Sequence, residues 1–129
     1  MIVVGGSFDE DVALRYGFYA CQNNRFFRKA KYMAFAYDNR IKYLFEIENG
    51  TSKNDVDLSM ESRIPSAYFQ EKEPHYNHEL RELFWLKKEA DLDIVNDTID
   101  RRGRRTVFVQ RQVYTTYDKI IEAKLTSEL

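Results

Sequence analysis

Two short stretches carry the residue types that bind phosphate. Arg25-Phe26-Phe27-Arg28-Lys29 mixes cations with aromatic rings, and Arg101-Arg102-Gly103-Arg104-Arg105 sets arginines around a single glycine. Arginine forks hold phosphate oxygens bidentately, and aromatic rings stack on bases. Arg25, Phe26, Phe27, Arg28, Lys29, Arg102, Arg104, Arg105 and Arg111 are therefore candidate nucleic-acid contacts. Tyr19, Trp85 and Tyr114 are candidates for an aromatic pocket that holds one base, with Tyr37 as a further ring. The competing reading is structural. Phe26 and Phe27 would plug a sheet end, and the arginines would pair with the acidic middle of the chain.

Other constellations are weaker. His75 and His78 have i, i+3 spacing with Glu73 and Glu79 close by, but Cys21 is the only other soft ligand, so no metal site is expected. Glu46 and Glu48 share a strand face, as a metal-dependent nuclease would need, yet that face is expected to meet solvent. Cys21 has no histidine near it in sequence and reads as a buried, inert thiol. Gly5-Gly6-Ser7-Phe8-Asp9 is similar to the opening of a nucleotidyltransferase motif. No histidine follows, and Glu10 and Asp11 would repel phosphate, so a plain strand-ending turn is the better reading.

Composition sets the frame. At 129 residues the chain fits a single domain, and 43% hydrophobic residues give it enough material for a core. No apolar run of about 18 residues occurs, so no membrane span is expected. The start, MIVVGG, lacks a basic n-region and turns acidic, so no signal peptide is expected. A lone cysteine excludes an internal disulfide and suits a reducing, cytoplasmic setting. The net charge of -1 hides strong segregation. Residues 23–53 carry seven bases and three acids, 54–100 five bases and twelve acids, and 101–129 seven bases and three acids. Two basic segments brought together would make a positive face on a nearly neutral molecule.

These residues need elements to position them. Ile2-Val3-Val4 reads as a strand ended by Gly5-Gly6, and Ser7 or Asp9 can cap a short helix over 10–16. Phe18 to Cys21 is a second strand. A hairpin follows, turning at Asp38-Asn39 with Tyr37 paired to Arg40. An unbroken register then puts Lys31 opposite Glu46, Tyr32 opposite Phe45, Met33 opposite Leu44 and Ala34 opposite Tyr43. Tyr32, Ala34, Ala36, Ile41, Tyr43, Phe45 and Ile47 would form one apolar face. Residues 49–74 read as a long, partly mobile acidic insertion, with Ile64, Tyr68 and Phe69 pinning a helical turn begun at Pro65. Strands are expected over Glu82 to Lys88, over Asp91 to Ile94 and over Thr106 to Tyr114, with a shorter one at Ile99. Thr115-Thr116 caps a final helix whose stripe is Tyr117, Ile120, Ile121 and Leu125. The sum is an α+β, β-rich fold: a curved sheet or small barrel, mostly antiparallel, with two or three short helices.

The hairpin KYMAFAYDNRIKYLFEIE, preceded by FYACQNNR and followed by RRTVFVQRQVYTTYDKIIEA, resembles the PUA-like superfamily, near its EVE and ASCH branches. The likeness covers Phe18 to Glu48 and Thr106 to Ala123. It implies a small β-barrel that binds RNA or DNA, or reads a modified or flipped base, in a bacterial defence or restriction system. It supplies no catalytic or cage residue for this chain, and the single tryptophan and the acidic insertion depart from the pattern. The resulting expectation is a non-catalytic nucleic-acid-binding module without cofactor. The alternatives are a protein-interaction subunit or homodimer and, behind it, a metal-dependent nuclease.

Overall fold

The computed structural model describes residues 1–6, 9–25, 30–109 and 112–129. The strands are β1 (Ile2–Gly5), β2 (Phe18–Cys21), β3 (Tyr32–Tyr37), β4 (Arg40–Ile47), β5 (Lys53–Val56), β6 (Arg81–Val95) and β7 (Val113–Thr115). Helices α1 (Ser66–Lys72) and α2 (Tyr117–Glu122) accompany a π-helical turn at Val12–Tyr16 and several 3-10 turns. The strand order is β2-β6-β4-β3-β1-β7, with β5 adding to β6. Every pairing is antiparallel except that of β1 with β3. The fold is α+β, with a mixed sheet curled into a half-barrel.

The inside of the curl is one continuous cluster. It joins Tyr19 and Cys21 of β2, Phe84 and Leu86 of β6, Phe45 and Ile47 of β4, Met33 and Phe35 of β3 and Val3 of β1, and Tyr114 of β7 packs against it. Strands from both ends of the order reach one cluster only if the sheet curls toward that face. The outer face is covered in two parts. Ile2, Val4, Ala34, Ile41, Leu44 and Ile94 lie under α2 through Ile120 and Ala123. Phe18 and Leu83 lie under Val56, Leu58, Ile64 and Tyr68 of the 49–74 segment.

Burial on both faces changes the central hairpin. Tyr37 pairs with Arg40 and Ala36 with Ile41, as the turn demands, and Asp38 and Asn39 have the positive φ values of 51° and 61°. Beyond Ala36 a bulge adds one residue to β4, so Ala34 faces Leu44, Met33 faces Phe45 and Tyr32 faces Glu46. The unbroken register therefore fails one step past the turn. The bulge turns Ile41 and Leu44 to the outer cluster while Phe45 and Ile47 stay inside. A single apolar face cannot serve a strand that is covered on both sides, and one extra residue reconciles the two demands.

Three further expectations change. The two strands expected after Glu82 are one 15-residue strand, β6. The strand expected over Thr106 to Tyr114 is confined to Val113–Thr115 among the described residues, because Thr106 is bonded instead to Thr98 and Asn96. The Ile99 strand is a single bridge to Arg105. In α2 Thr116 caps the helix by accepting the Lys119 N–H, and the buried stripe is Ile120 with Ala123, whereas Tyr117, Ile121 and Leu125 stay about 40% exposed. The acidic 49–74 segment is built into the fold. Leu58 is fully buried, α1 starts after Pro65, and Tyr68 stands edge-on to Phe18 at 5.0 Å. No helix among the described residues is long and apolar enough to cross a membrane.

Candidate nucleic-acid interface

The arginine turn is a hairpin tip with a defined internal structure. Gly103 N–H donates to the Asp100 carbonyl at 3.0 Å, which closes a β-turn, and Asp100 N–H donates to the Arg104 carbonyl at 2.7 Å. Gly103 sits at φ +75°, the left-handed geometry that ends such three-residue loops. The Asp100 carboxylate accepts the N–H groups of Arg102 and Arg104 at 2.8 and 2.9 Å. The backbone is thereby locked from within by one aspartate, while the arginines themselves are exposed. Every residue from Ile99 to Arg105 is exposed.

The base of the tip is fixed by Asn96, which is only 3% exposed. Its Nδ2 donates to the Thr106 carbonyl at 2.6 Å, and its Oδ1 accepts the Thr98 N–H at 3.0 Å. One amide thus holds both arms. Buried Thr126 donates its hydroxyl to Asp97 at 2.8 Å and lies 3.3 Å from the same Asn96 Oδ1, and Asn96 N–H donates to the Asn39 carbonyl at 2.8 Å. The tip is anchored to the C-terminal turn and to the β3–β4 turn. Sequence reading missed Asn96 and the structural role of Asp100. The Asp-x-x-Gly spacing of 100–103 was a signal for the latter; nothing local marks Asn96.

The arginines divide by partner. Arg15 pairs with Glu71, Arg40 with Asp93, Arg63 with Glu48 and Arg81 with Glu73. Arg25 donates to the Tyr19 hydroxyl at 3.2 Å. Among the described residues Arg101, Arg102, Arg104 and Arg105 make no ion pair, although the chain has more acidic than basic groups. The structural alternative, in which these arginines pair with the acidic middle, does not hold for them. Several acids of that segment are taken by other cations: Glu61 by Lys53, Glu71 by Arg15, Glu73 by Arg81, Asp91 by Lys88 and Asp93 by Arg40.

The first basic stretch has a different place. Arg25 closes the curl: its guanidinium meets Tyr19 of β2, and its carbonyl accepts the Gln112 side-chain amide. Tyr114 of β7 donates to that Gln112 at 3.3 Å. Arg25, Tyr19 and Tyr114 therefore come together, as a tie between the two edge strands. Burial pushes the Tyr19 hydroxyl up to about 12. Trp85 lies on the outer side against Phe18, with the Arg63 guanidinium 3.9 Å above its ring, so it does not join Tyr19 and Tyr114 in a pocket. Tyr37 donates to Glu10, which also accepts from Tyr43 at 2.7 Å. Phe26, Phe27, Arg28, Lys29 and Arg111 lie outside the described residues.

The remaining chemistry is accounted for. Burial pushes the Cys21 thiol up to about 12, helped by the buried Glu82 beside it, as expected of an inert thiol. Glu48 is engaged by Arg63, and Glu46 is half-buried across from Lys87 of β6. His78 Nδ1 and the Ser59 hydroxyl both meet the Asp57 carboxylate, at 3.0 and 2.7 Å. Ser59 contacts that same Nδ1 at 3.2 Å, so acid and hydroxyl meet one ring nitrogen and not the two opposite ones that a nucleophilic relay would require. Among the described residues no group of His, Cys, Asp or Glu is arranged to hold a metal ion.

Comparison with protein-family models, curated proteins and solved structures finds no match for this chain.

Proposed function

We propose that this chain is a nucleic-acid-binding module of PUA-like type, and that the arginine hairpin is its phosphate-gripping element. The supporting observation is the set of four exposed arginines without a carboxylate partner, on a tip whose backbone is fixed. Charges held about 8 Å apart in water repel by roughly 0.5 kcal/mol per pair before screening. An unpaired cluster of this kind costs stability in the free protein, and a polyanion removes that cost. The other described arginines each have a side-chain partner, which sets this cluster apart from them.

The chemistry predicts affinity dominated by counterion release. Four neutralised phosphates give a slope of log K against log salt near roughly −3.6 on duplex DNA, and about −2.8 on a single strand. Between 50 and 200 mM salt the duplex affinity then falls about 150-fold. Fluorescence anisotropy with short labelled DNA and RNA, titrated across that range, is the test. Absence of binding at low salt, or binding that salt leaves unchanged, overturns the reading. Loss of a self-associated species on charge reversal of the hairpin, without nucleic-acid binding, would point to a protein interface instead.

A further inference from the structure

We infer that the arginine hairpin enters the major groove of duplex DNA and reads guanine there; this rests on the nucleic-acid reading above and narrows its partner. The argument is one of shape and of missing residue types. The element is a narrow hairpin tip with two antiparallel arms: Ile99 bridges Arg105, and the Thr106 N–H donates to the Thr98 carbonyl. A B-form major groove, about 12 Å wide and 8.5 Å deep, admits a two-stranded ribbon, whereas a minor groove of about 6 Å does not. From Thr98 to Asp100 the arm runs roughly 7 Å at about 3.3 Å per residue, and the turn with its arginine side chains extends beyond that toward the groove floor. Since Ile99 through Arg105 are all exposed, nothing in the described fold blocks that approach.

The other polyanions fit less well. Single-strand binding relies on aromatic platforms, and residues 98–107, TIDRRGRRTV, contain no aromatic ring. The A-form major groove of duplex RNA is too deep and narrow for side chains to read, and its shallow minor groove does not enclose a ribbon. Arginine is also the side chain that meets guanine O6 and N7 bidentately. Ile99 and Val107, 64% and 59% exposed on the two arms, offer apolar contact of the kind that suits a thymine methyl group.

The experiment compares matched duplex DNA, duplex RNA and single-stranded DNA at one salt concentration, with two modified DNAs. Replacing guanine by 7-deazaguanine removes N7 from the major groove; replacing it by inosine removes only the minor-groove amine. Duplex DNA should bind at least about tenfold tighter than the other two, 7-deazaguanine should weaken it about tenfold, and inosine should have little effect. The variant Arg102→Lys with Arg104→Lys should keep the salt slope and lose the sensitivity to 7-deazaguanine. Equal binding of DNA and RNA duplexes, preference for the single strand, or indifference to 7-deazaguanine overturns the groove assignment and leaves the nucleic-acid reading standing. No binding to any of them at low salt overturns both.

Discussion

Arg81 and Arg102 differ in what they are for, although the sequence surrounds each with charge. Arg81 opens β6 and ties it to the end of α1, its side chain one-fifth exposed, with a two-pronged bond to Glu73 and its guanidinium 5.6 Å from the Tyr76 ring. Arg102 stands on a tip where its backbone N–H is bonded to the Asp100 carboxylate and its side chain makes no ion pair. The first arginine is spent on joining segments, and the second is held in place by its backbone and leaves its side chain unused. Partnership, rather than local charge density, separates an architectural arginine from one available to a ligand. The same division runs through Arg15, Arg40 and Arg63 on one side and Arg101, Arg104 and Arg105 on the other.

The hinge of this comparison is Asn96, because it belongs to both regions. Asn96→Ala leaves the Thr98 N–H and the Thr106 carbonyl without their shared partner and should cost about 2–3 kcal/mol. It should also weaken nucleic-acid binding, since both arms come loose; urea denaturation and anisotropy on one preparation read the two effects. Arg81→Ala should cost about 2 kcal/mol, less than a fully buried pair and more than a surface one, and leave binding unchanged at a temperature where the variant is folded. If binding falls with Arg81, the division fails.

Smaller changes sharpen it. Gly103→Ala places a side chain in open space but at φ +75°, so strain is its only effect. It should cost about 1 kcal/mol and reduce affinity severalfold with the charge untouched, which separates tip geometry from tip charge. The pH response of the architectural set is the mildest test. Burial raises the Glu73 carboxyl, but bonds from Arg81 and Tyr68 outweigh it and leave the group below its ordinary value of 4.5. A depressed carboxyl contributes stability above its unfolded value and loses it as pH falls through the folded one. Denaturation midpoints should therefore drop below about pH 4.5, and Arg81→Ala should flatten that drop.

How far these features could be read from sequence depends on where their causes lie. The Asp38-Asn39 turn was legible because its causes are local. The bulge in β4 was not, since it arises from burial of both faces: α2 covers Ala34 and Ile41, while the curl of the sheet buries Met33 and Phe35 on the face that the hairpin pattern alone leaves to solvent. The strand expected over Thr106 to Tyr114 rested on alternation of Val107, Val109 and Val113. Thr106 is committed to the hairpin base, and Val107 is left exposed. In the 49–74 segment the acidic composition suggested solvation, yet Ile64 and Tyr68 already carried the signal of a pinned turn, and the acids serve as partners for distant cations. For the site, the arginine turn was legible by composition. Its freedom from ion pairs was not, because that depends on where every carboxylate goes.

The central claim is that the hairpin arginines are reserved for a polyanion. The direct measurement is a salt titration of duplex DNA binding by the unmodified chain and by a variant with Arg101, Arg102, Arg104 and Arg105 all changed to Ala, with melting temperatures taken alongside. The variant should lose more than about 100-fold in affinity at 50 mM salt, and its slope should flatten by about 3.6. Its melting temperature should hold or rise slightly as the repulsion between the arginines is removed. Unchanged affinity and slope in a folded variant would contradict the claim, as would a fall in melting temperature like that of Arg81→Ala.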